Sequence, residues 1–212
     1  MLHLKGFTFN AFQENTYLII NDKKQCWIVD PGMYDSNETI ALDQYIAAQG
    51  LQPVAIINTH CHLDHIFGVQ ALKDRYKIPF GIHQKDLPVL KGAPTSAMIF
   101  GFELMTAPEP DFFIAENEAL KLGDEVVEVR LAPGHSPGSI VFWYPEGGWC
   151  LGGDVLFNGS IGRSDLPGGN FDTLINSIRT QLFTLPPETV VHSGHGPATT
   201  IGQEIQYNPF LQ

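Results

Sequence analysis

A short apolar run that is typical of a buried strand leads directly into a cluster of three histidines and one aspartate. The run is Val54–Ile57, and the cluster comprises His60, His62, Asp64 and His65. Imidazole and carboxylate groups together suit zinc, iron or manganese. A turn that leaves the strand can direct His60 and His62 to one ion, while the start of the next predicted helix directs the other pair to a second. Because such a site needs rigid flanks, the chain must place a strand and a helix on either side of this turn.

Three further residues of the metal-binding type lie in turns that follow predicted strands. They are His135 in LAPGHSPGS, Asp154 in CLGGDVLF and His195 in VVHSGHGP. The glycines in these turns let the backbone come close to an ion. We expect the four strand ends to converge at one edge of the fold, so that distant parts of the chain build one metal centre.

Strand-like and helix-like patterns alternate along the chain, which favours an α/β layered fold. The N-terminus alternates like a strand, and further predicted strands are Tyr17–Ile20, Cys26–Val29, Val54–Ile57, Val126–Leu131, Ile140–Tyr144 and Val190–His192. Predicted helices lie in 36–50, with Ser36 as the N-cap and Gly50 as the stop, 65–77, 170–183 and 199–206, with Thr200 as the N-cap. The proline-punctuated segment 84–114 is predicted as a long loop, which either packs under the core or forms a wall over a substrate cleft.

Two segments share one pattern of strand, polar turn and strand, followed by an aspartate beside glycine or proline. They are 16–32, which contains Asp30, and 139–156, which contains Asp154. This internal similarity predicts two similar halves, each a sheet with its own helices, packed face to face as an αββα sandwich.

Composition and charge narrow the functional classes. The 212 residues are predicted to form one domain, and a net charge of −11 disfavours nucleic acid and anionic membranes as partners. The N-terminus lacks the pattern of a signal peptide, and no apolar run approaches the roughly 20 residues that span a bilayer. Three widely spaced cysteines argue against a disulfide framework, so we expect a reducing compartment, the cytoplasm by default.

The motif His-x-His-x-Asp-His at 60–65, with the later His135, Asp154 and His195, resembles that of metallo-β-lactamase-fold hydrolases over essentially the whole chain. Within that superfamily, APGHSPGS, GDVLFNGSIGRSDLPGG and the terminal NPFL resemble the small, single-domain glyoxalase II (hydroxyacylglutathione hydrolase-like) branch. The resemblance implies a four-layer αββα sandwich over 1–212, without the helical C-terminal glutathione-binding domain of larger glyoxalase II enzymes.

The resemblance also implies a binuclear centre of two divalent ions, with zinc expected first and iron or manganese as alternatives. One ion would be held by His60, His62 and His135, and the other by Asp64, His65 and His195. Asp154 and a hydroxide would bridge the ions, so that Asp64 and Asp154 are the catalytic carboxylates. Asp30 in VDPG would support a ligating histidine from behind.

The implied reaction is hydrolysis of a small-molecule thioester. A metal lowers the pKa of bound water to about 7, and a thiolate leaves without protonation. Arg163, nine residues after Asp154, lies where larger enzymes place a basic residue that contacts glutathione. It is therefore predicted to bind substrate, although pairing with Asp165 is the competing interpretation. Ser164 and Asp165 replace the aromatic residue expected after Arg163, so the thiol carrier stays open, as does the oligomeric state.

Other functions remain open on the same residues. A persulfide dioxygenase needs one iron held by His60, His135 and Asp154, and a lactone or other ester hydrolase needs the same hydroxide. β-Lactam hydrolysis is disfavoured because no export signal is visible and Asp154 stands where many such lactamases carry cysteine. A nuclease is disfavoured by the acidic charge, and a metal-carrying binding module by the complete set of ligand positions. Cys61 is not expected to be a nucleophile, because neighbouring side chains in an extended stretch point away from each other.

Overall fold

A computed structural model describes residues 1–104 and 106–212. The first of two six-stranded sheets follows chain order and begins with an antiparallel meander, after which the strands run parallel. Its strands are β1 (His3–Phe9), β2 (Glu14–Ile20), β3 (Gln25–Val29), β4 (Gln52–Ile57), β5 (Phe80–Ile82) and β6 (Phe112–Phe113).

The second sheet has the order β14-β13-β10-β9-β8-β7 and is antiparallel except for the parallel pair of β10 and β13. Its strands are β7 (Ala119–Leu122), β8 (Glu125–Leu131), β9 (Ile140–Tyr144), β10 (Trp149–Gly153), β13 (Val190–Ser193) and β14 (Thr199–Thr200). A small hairpin of β11 (Leu156–Phe157) and β12 (Ser160–Ile161) follows β10.

Among the described residues, five α-helices cover the outer faces of the two sheets. They are α1 (Ser36–Gln49), α2 (Val69–Tyr76), α3 (Leu87–Phe100), α4 (Phe171–Ser177) and α5 (Ile201–Tyr207). A π-helical turn, Ile178–Leu182, extends α4. None of the helices among the described residues combines the length and apolar character that crossing a membrane requires.

Three apolar clusters separate four layers. The alternation of side chains along each strand sends Leu18 to the cluster beneath α1–α3 and its neighbour Ile19 to the cluster between the sheets. In the second sheet, Phe142 faces the first sheet, while Val141 packs against α4 and α5. The predicted αββα sandwich of two similar halves is confirmed, and the two related segments form the hairpins β2–β3 and β9–β10.

The strand directions place the predicted metal-binding turns at one edge. The strands β3, β4 and β5 are parallel, so the turns that follow them share an edge of the first sheet. In the second sheet β8, β10 and β13 run in the same direction, and the turns after them carry His135, Asp154 and His195. Because the sheets are packed face to face, both sets of turns open onto the same end of the sandwich.

The prediction of a long loop over 84–114 is wrong for its first half. Residues Leu87–Phe100 form α3, which buries Leu90, Ala93 and Ala97. The prolines that suggested a loop are accommodated by the helix, because Pro88 lies in its first turn, where no backbone hydrogen bond is lost, and Pro94 is tolerated inside it.

Two helix starts also differ from the sequence prediction. The N-cap of α1 is Asp35, which accepts the backbone N–H of Glu38, while Glu38 accepts the N–H of Asp35 in return. The helix predicted over 65–77 is split: Leu63–His65 form a 3-10 turn, and α2 begins at Val69. Asp64 and His65 therefore lie in a tight turn before the helix and not in its first turn. Two other helix boundaries are as predicted: α1 stops at Gly50, and Thr200 is the N-cap of α5.

Candidate metal centre

Three imidazoles from two turns converge on one point. His62 Nδ1 lies 2.8 Å from His135 Nε2, and that nitrogen lies 3.2 Å from His60 Nε2. Nitrogens at about 2.0 Å from a tetrahedral zinc are about 3.3 Å apart, so one ion could lie between all three. The structure thus brings together, as one group able to hold a metal, the histidines predicted for the first ion.

A second group consists of Asp64, His65 and His195. His195 Nε2 lies 3.0 Å from Asp64 Oδ2, and His65 Nε2 lies 3.7 Å from the same oxygen. Two turns supply these residues: the 3-10 turn contains Asp64 and His65, and the turn after β13 contains His195.

Asp154, which directly follows β10, lies between the two groups. Its Oδ2 is 3.6 Å from His135 Nε2 and 3.4 Å from His195 Nε2, and its Oδ1 is 3.5 Å from His65 Nε2. Gly194 makes this approach sterically feasible, because a Cβ there would overlap the Asp154 carboxylate and the His65 ring. One carboxylate therefore faces both groups at once.

Hydrogen bonds behind two imidazoles fix which ring nitrogen faces the cleft. His135 Nδ1 lies 2.7 Å from the carbonyl oxygen of Arg163, and His195 Nδ1 lies 3.0 Å from that of Phe12. A carbonyl oxygen only accepts, so Nδ1 carries the proton in both residues. Their Nε2 atoms are therefore directed at the cluster.

Asp30, predicted to support a histidine, lies behind His65. Its Oδ2 is 3.3 Å from His65 Nδ1, and the carboxylate accepts the backbone N–H of Thr59 at 2.7 Å and its hydroxyl at 2.5 Å. The same hydroxyl lies 3.1 Å from His60 Nδ1. Asp30 thus contacts one group directly and the other through Thr59, which orients imidazoles in both.

The two groups differ in their electrostatics. Burial, reinforced by neighbouring histidines, lowers the pKa of His60 well below its ordinary value and that of His62 to about 3. Burial also opposes the charge on His195, but Asp154 and Asp64 outweigh it and raise the pKa of His195 to about 10. His60 and His62 are therefore neutral, the form that binds metal, while a cation entering the second group would displace the proton held by His195.

Unpaired atoms test whether metal ions fit this pocket. His65 Nε2 and Asp154 Oδ1 are buried and have no hydrogen-bond partner among the residues that the structure describes. Buried polar atoms are nearly always paired, so two that face each other within a cluster of ligand-type groups indicate a missing partner. A divalent cation would accept lone pairs from both, and these nitrogen and oxygen donors suit zinc, iron and manganese alike.

Asp86, which was not predicted from the sequence, connects the turns of the first group. Its buried carboxylate accepts the backbone N–H of Cys61 at 2.5 Å, the N–H of Gly138 at 2.8 Å and the hydroxyl of Ser136. Asp86 lies in the turn after β5, at the same edge as β4. A polar residue shortly after the apolar run IPFGI was the signal that could have indicated it.

Two other buried polar residues near the cluster were also missed. The Asn58 amide donates to the carbonyls of His60 and His65, at 3.2 and 2.8 Å, and thereby braces the turn that carries both histidines. Glu14 is fully buried with Oε1 3.8 Å from His65 Nδ1, and burial raises the pKa of its carboxyl well above the ordinary value. Neither residue belongs to a recognisable local motif.

The remaining residues considered in the sequence lie outside the cluster. Arg163 is at the rim of the cleft, half exposed, and its guanidinium forms two hydrogen bonds of 2.8 Å to Asp165. Cys61 is buried in the core beneath the helices and does not line the cleft. His192 lies in β13, where a strand was predicted, and its ring is 5.8 Å from that of Tyr17.

The cluster lies at the floor of a cleft of about 800 Å³. One wall is the face of α3 that carries Val89, Gly92 and Ile99, and the opposite wall is the loop after β12, with Arg163 and Leu166. Segment 84–114 was predicted either to pack under the core or to form a wall over a cleft. Its helix α3 does both, because one face is buried on the core and another lines the cavity.

The chain matches the family model of the metallo-β-lactamase superfamily over residues 9–195. A probable metallo-hydrolase of Bacillus subtilis, YqgX, is 42% identical over 94% of this chain and 92% of its own. The hydroxyacylglutathione hydrolase GloC of Haemophilus influenzae is 41% identical over 99% of this chain and 98% of its own.

Solved structures show the same similarity. The B3 metallo-β-lactamase BLEG-1 superposes with a TM-score of 0.91 at 39% identity, covering 99% of this chain and 100% of its own. TTHA1623, solved in a di-iron-bound form, has a TM-score of 0.87 at 40% identity. The match covers 98% of this chain and 100% of the TTHA1623 chain. The family model, the similarity to relatives over the whole chain and the shared fold all give the same result. This chain belongs to the metallo-β-lactamase superfamily.

Proposed function

We propose that the protein is a metal-dependent hydrolase that cleaves small-molecule thioesters in the manner of glyoxalase II. The observation that carries the proposal is the position of Asp154, whose two oxygens face both groups of metal-binding residues. The similarity to GloC, a hydroxyacylglutathione hydrolase, supports a thioester as the bond that is cleaved.

Two divalent metal ions are the proposed cofactors, with zinc expected first and iron or manganese as alternatives. The relative TTHA1623, in its di-iron-bound form, makes iron a serious alternative. One ion would be held by His60, His62 and His135, the other by Asp64, His65 and His195, and Asp154 would contact both. When bound, such ions would lower the pKa of a coordinated water and polarise a substrate carbonyl.

The protein's own side chains favour a leaving group that departs without a proton. Burial opposes the charge on Asp64 and Asp154, but the neighbouring histidines keep the pKa of both carboxyls below its ordinary value. Both are therefore ionised, the form that can hold a metal ion, and neither carries a proton that it could donate to a leaving group. Outside the metal cluster and Arg163, the described polar side chains that line the cleft are the hydroxyls of Thr95 and Ser96, which are poor acids. A thiolate suits such a site, whereas an amine would need a proton donor.

Hydrolysis of lactoylglutathione and metal content, measured on one sample, test this function. We expect turnover with two ions per chain, and loss of both turnover and bound metal in Asp154→Ala. The control Asp74→Ala removes an exposed carboxylate on α2 and should retain both. An Asp154→Ala protein with full activity and unchanged metal content would refute the assignment.

β-Lactam hydrolysis is a second candidate because the B3 metallo-β-lactamase BLEG-1 resembles this chain over its whole length. The same metal cluster would serve, but opening the ring releases an amine nitrogen, which the cleft is poorly equipped to protonate. We therefore expect a kcat/KM for a chromogenic cephalosporin far below that for thioesters. A reversed order would make the lactam the preferred substrate.

Metal content and substrate assays together distinguish the remaining alternative functions. One iron per chain, with oxygen consumed in the presence of a persulfide, would replace the hydrolase by a persulfide dioxygenase. Turnover of lactones but not thioesters would keep the hydrolase and change its substrate, and two bound ions without turnover would favour a binding module.

Single-domain organisation and a cytoplasmic location remain part of this proposal. The three cysteines, Cys26, Cys61 and Cys150, are buried as free thiols, which supports a reducing compartment.

A further inference from the structure

Helix α3 presents two adjacent stripes of side chains. Leu90, Ala93 and Ala97, at helical spacing, are buried and fix the helix to the core. The neighbouring stripe, which lines the cleft, consists of Val89, Gly92, Ser96 and Ile99. The first stripe holds the helix on the core, and Val89 of the second stripe also packs against that core. Packing does not explain the exposed apolar side chain of Ile99.

Large apolar side chains surround the cleft although water reaches them. Ile99 is 74% exposed, Phe100 47% and Phe12 38%, and all three line the cavity. Leu166 continues this apolar lining on the opposite wall. Scattered exposed apolar residues are ordinary, but a group around a concave site marks a place where a ligand covers them.

Outside the metal-binding cluster, the cleft has few charged side chains that could bind a highly charged ligand. Among the described residues that line it, no lysine is present and Arg163 is the one permanent cation. Its guanidinium is already bonded to Asp165 through both donor positions that face that carboxylate. A glutathionyl group carries two carboxylates and an ammonium, and this lining leaves most of those charges without partners.

We infer that the cleft selects thioesters that carry an extended apolar group, alkyl or aromatic, bound along the Val89–Ile99 stripe of α3. This specificity rests on the proposed thioesterase function. Each methylene that leaves water favours binding by about fourfold. A chain of several methylenes therefore discriminates strongly against short, polar substrates.

Gly92 provides a way to block the stripe without disturbing the fold. A Cβ added there meets no atom within 4 Å, and the residue lies inside a helix, where leucine is favoured over glycine. Gly92→Leu should therefore fold and fill part of the cleft. Ile99→Asn makes the stripe polar, and Met98→Asn is its matched control, since Met98 is 80% exposed and does not line the cleft.

The experiment compares N-acetylcysteamine thioesters with acyl groups from acetyl to octanoyl, and acetyl thioesters of thiols of increasing length. In at least one series, we expect kcat/KM of the native protein to rise about tenfold or more with chain length. Gly92→Leu and Ile99→Asn should reduce that ratio severalfold, and Met98→Asn should leave it unchanged. Flat profiles in both series would overturn the inference while leaving the thioesterase function intact.

Binding separates this inference from the function on which it rests. Calorimetric titration of the metal-loaded protein with octyl and ethyl thioethers of N-acetylcysteamine, which cannot be hydrolysed, should show tighter binding of the octyl compound. Gly92→Leu should remove that difference. If thioesters are not cleaved but this pattern holds, the proposed function fails and the apolar selectivity stands. Equal affinity for both thioethers would refute the selectivity.

Discussion

At the scale of single residues, backbone and side-chain acceptors hold the imidazoles from behind. The Arg163 carbonyl orients His135, while the Arg163 side chain extends to the rim and pairs with Asp165. Asp86 holds the turn of His60 and His62 against the turn of His135. The backbone of Arg163 orients His135 while its side chain pairs with Asp165, so mutation of the side chain should leave the hydrogen bond to His135 in place.

Arg163→Ala should raise KM for anionic thioesters severalfold more than for neutral ones, with little change in kcat. The reason is that a guanidinium at the rim can bind a substrate carboxylate as a forked donor. Asp165→Ala should act in the opposite direction, because it frees the guanidinium. Steady-state kinetics with succinyl and butyryl thioesters measure both effects, and equal changes for the two substrates would remove the proposed role of Arg163.

Asp86→Ala should lower the free energy of unfolding by about 3 kcal/mol or more, because two buried backbone N–H groups and a hydroxyl lose their acceptor. Urea denaturation of the chelator-treated protein measures this effect without any contribution from metal. Asp86→Asn retains one acceptor oxygen and should fall between alanine and the native protein. Native stability of Asp86→Ala would show that the turns are held together by other contacts.

At the scale of elements, local signals and tertiary packing determined different helices. The glycine at position 50 adopts a left-handed conformation with φ of 62° and ends α1 as its sequence predicts. In contrast, α3 depends on the packing of Leu90, Ala93 and Ala97, which outweighs the unfavourable Pro94 and Gly92 inside the helix. Three buried small or branched side chains carry no periodicity strong enough to identify such a helix in sequence.

The capping assignment of α1 gives a test at this scale. Asp35→Ala should lower the free energy of unfolding by about 1 kcal/mol, since the N–H of Glu38 loses its acceptor. Ser36→Ala should change it by less than about 0.5 kcal/mol, because Ser36 is exposed in the first turn. Denaturant titrations of both variants decide between the two caps, and a larger loss in the serine variant would reverse the assignment.

At the scale of the whole molecule, the candidate metal centre joins the two halves of the sandwich. His60, His62, Asp64 and His65 follow a strand of the first sheet, while His135, Asp154 and His195 follow strands of the second. The cluster at 60–65 is contiguous in the sequence, but its three partners are spread over 61 positions from 135 to 195. Only the packing of one sheet on the other brings these residues together at one site.

Metal removal should therefore destabilise the entire fold and not one loop. Free metal at a hundred times its dissociation constant adds about 2.7 kcal/mol to the free energy of unfolding, and a chelator should remove that amount. Thermal unfolding with and without chelator measures the change as a fall in Tm with one transition. Asp154→Ala should show a much smaller fall, and an unchanged Tm of the native protein would contradict a metal that links the halves.

The sequence by itself indicated the two-sheet architecture, the strand-end turns and the seven residues that the structure gathers at one edge. These signals are local: apolar runs set the strands, and ligand-type side chains beside glycine mark the turns that follow them. The repeated strand–turn–strand pattern added the relation between the halves. Each of these features is written in a few neighbouring residues, so no knowledge of distant contacts was needed.

The tertiary structure alone decided the helix α3, the bridging role of Asp86 and the apolar lining of the cleft. Asp86 is an ordinary polar residue in sequence, and its importance arises from three partners that are 25, 50 and 52 positions away. The Val89–Ile99 stripe likewise forms a wall of the cleft only because the fold places α3 beside the metal-binding cluster. Such features depend on which surfaces meet, and the hydrophobic burial that determines this is a property of the whole chain.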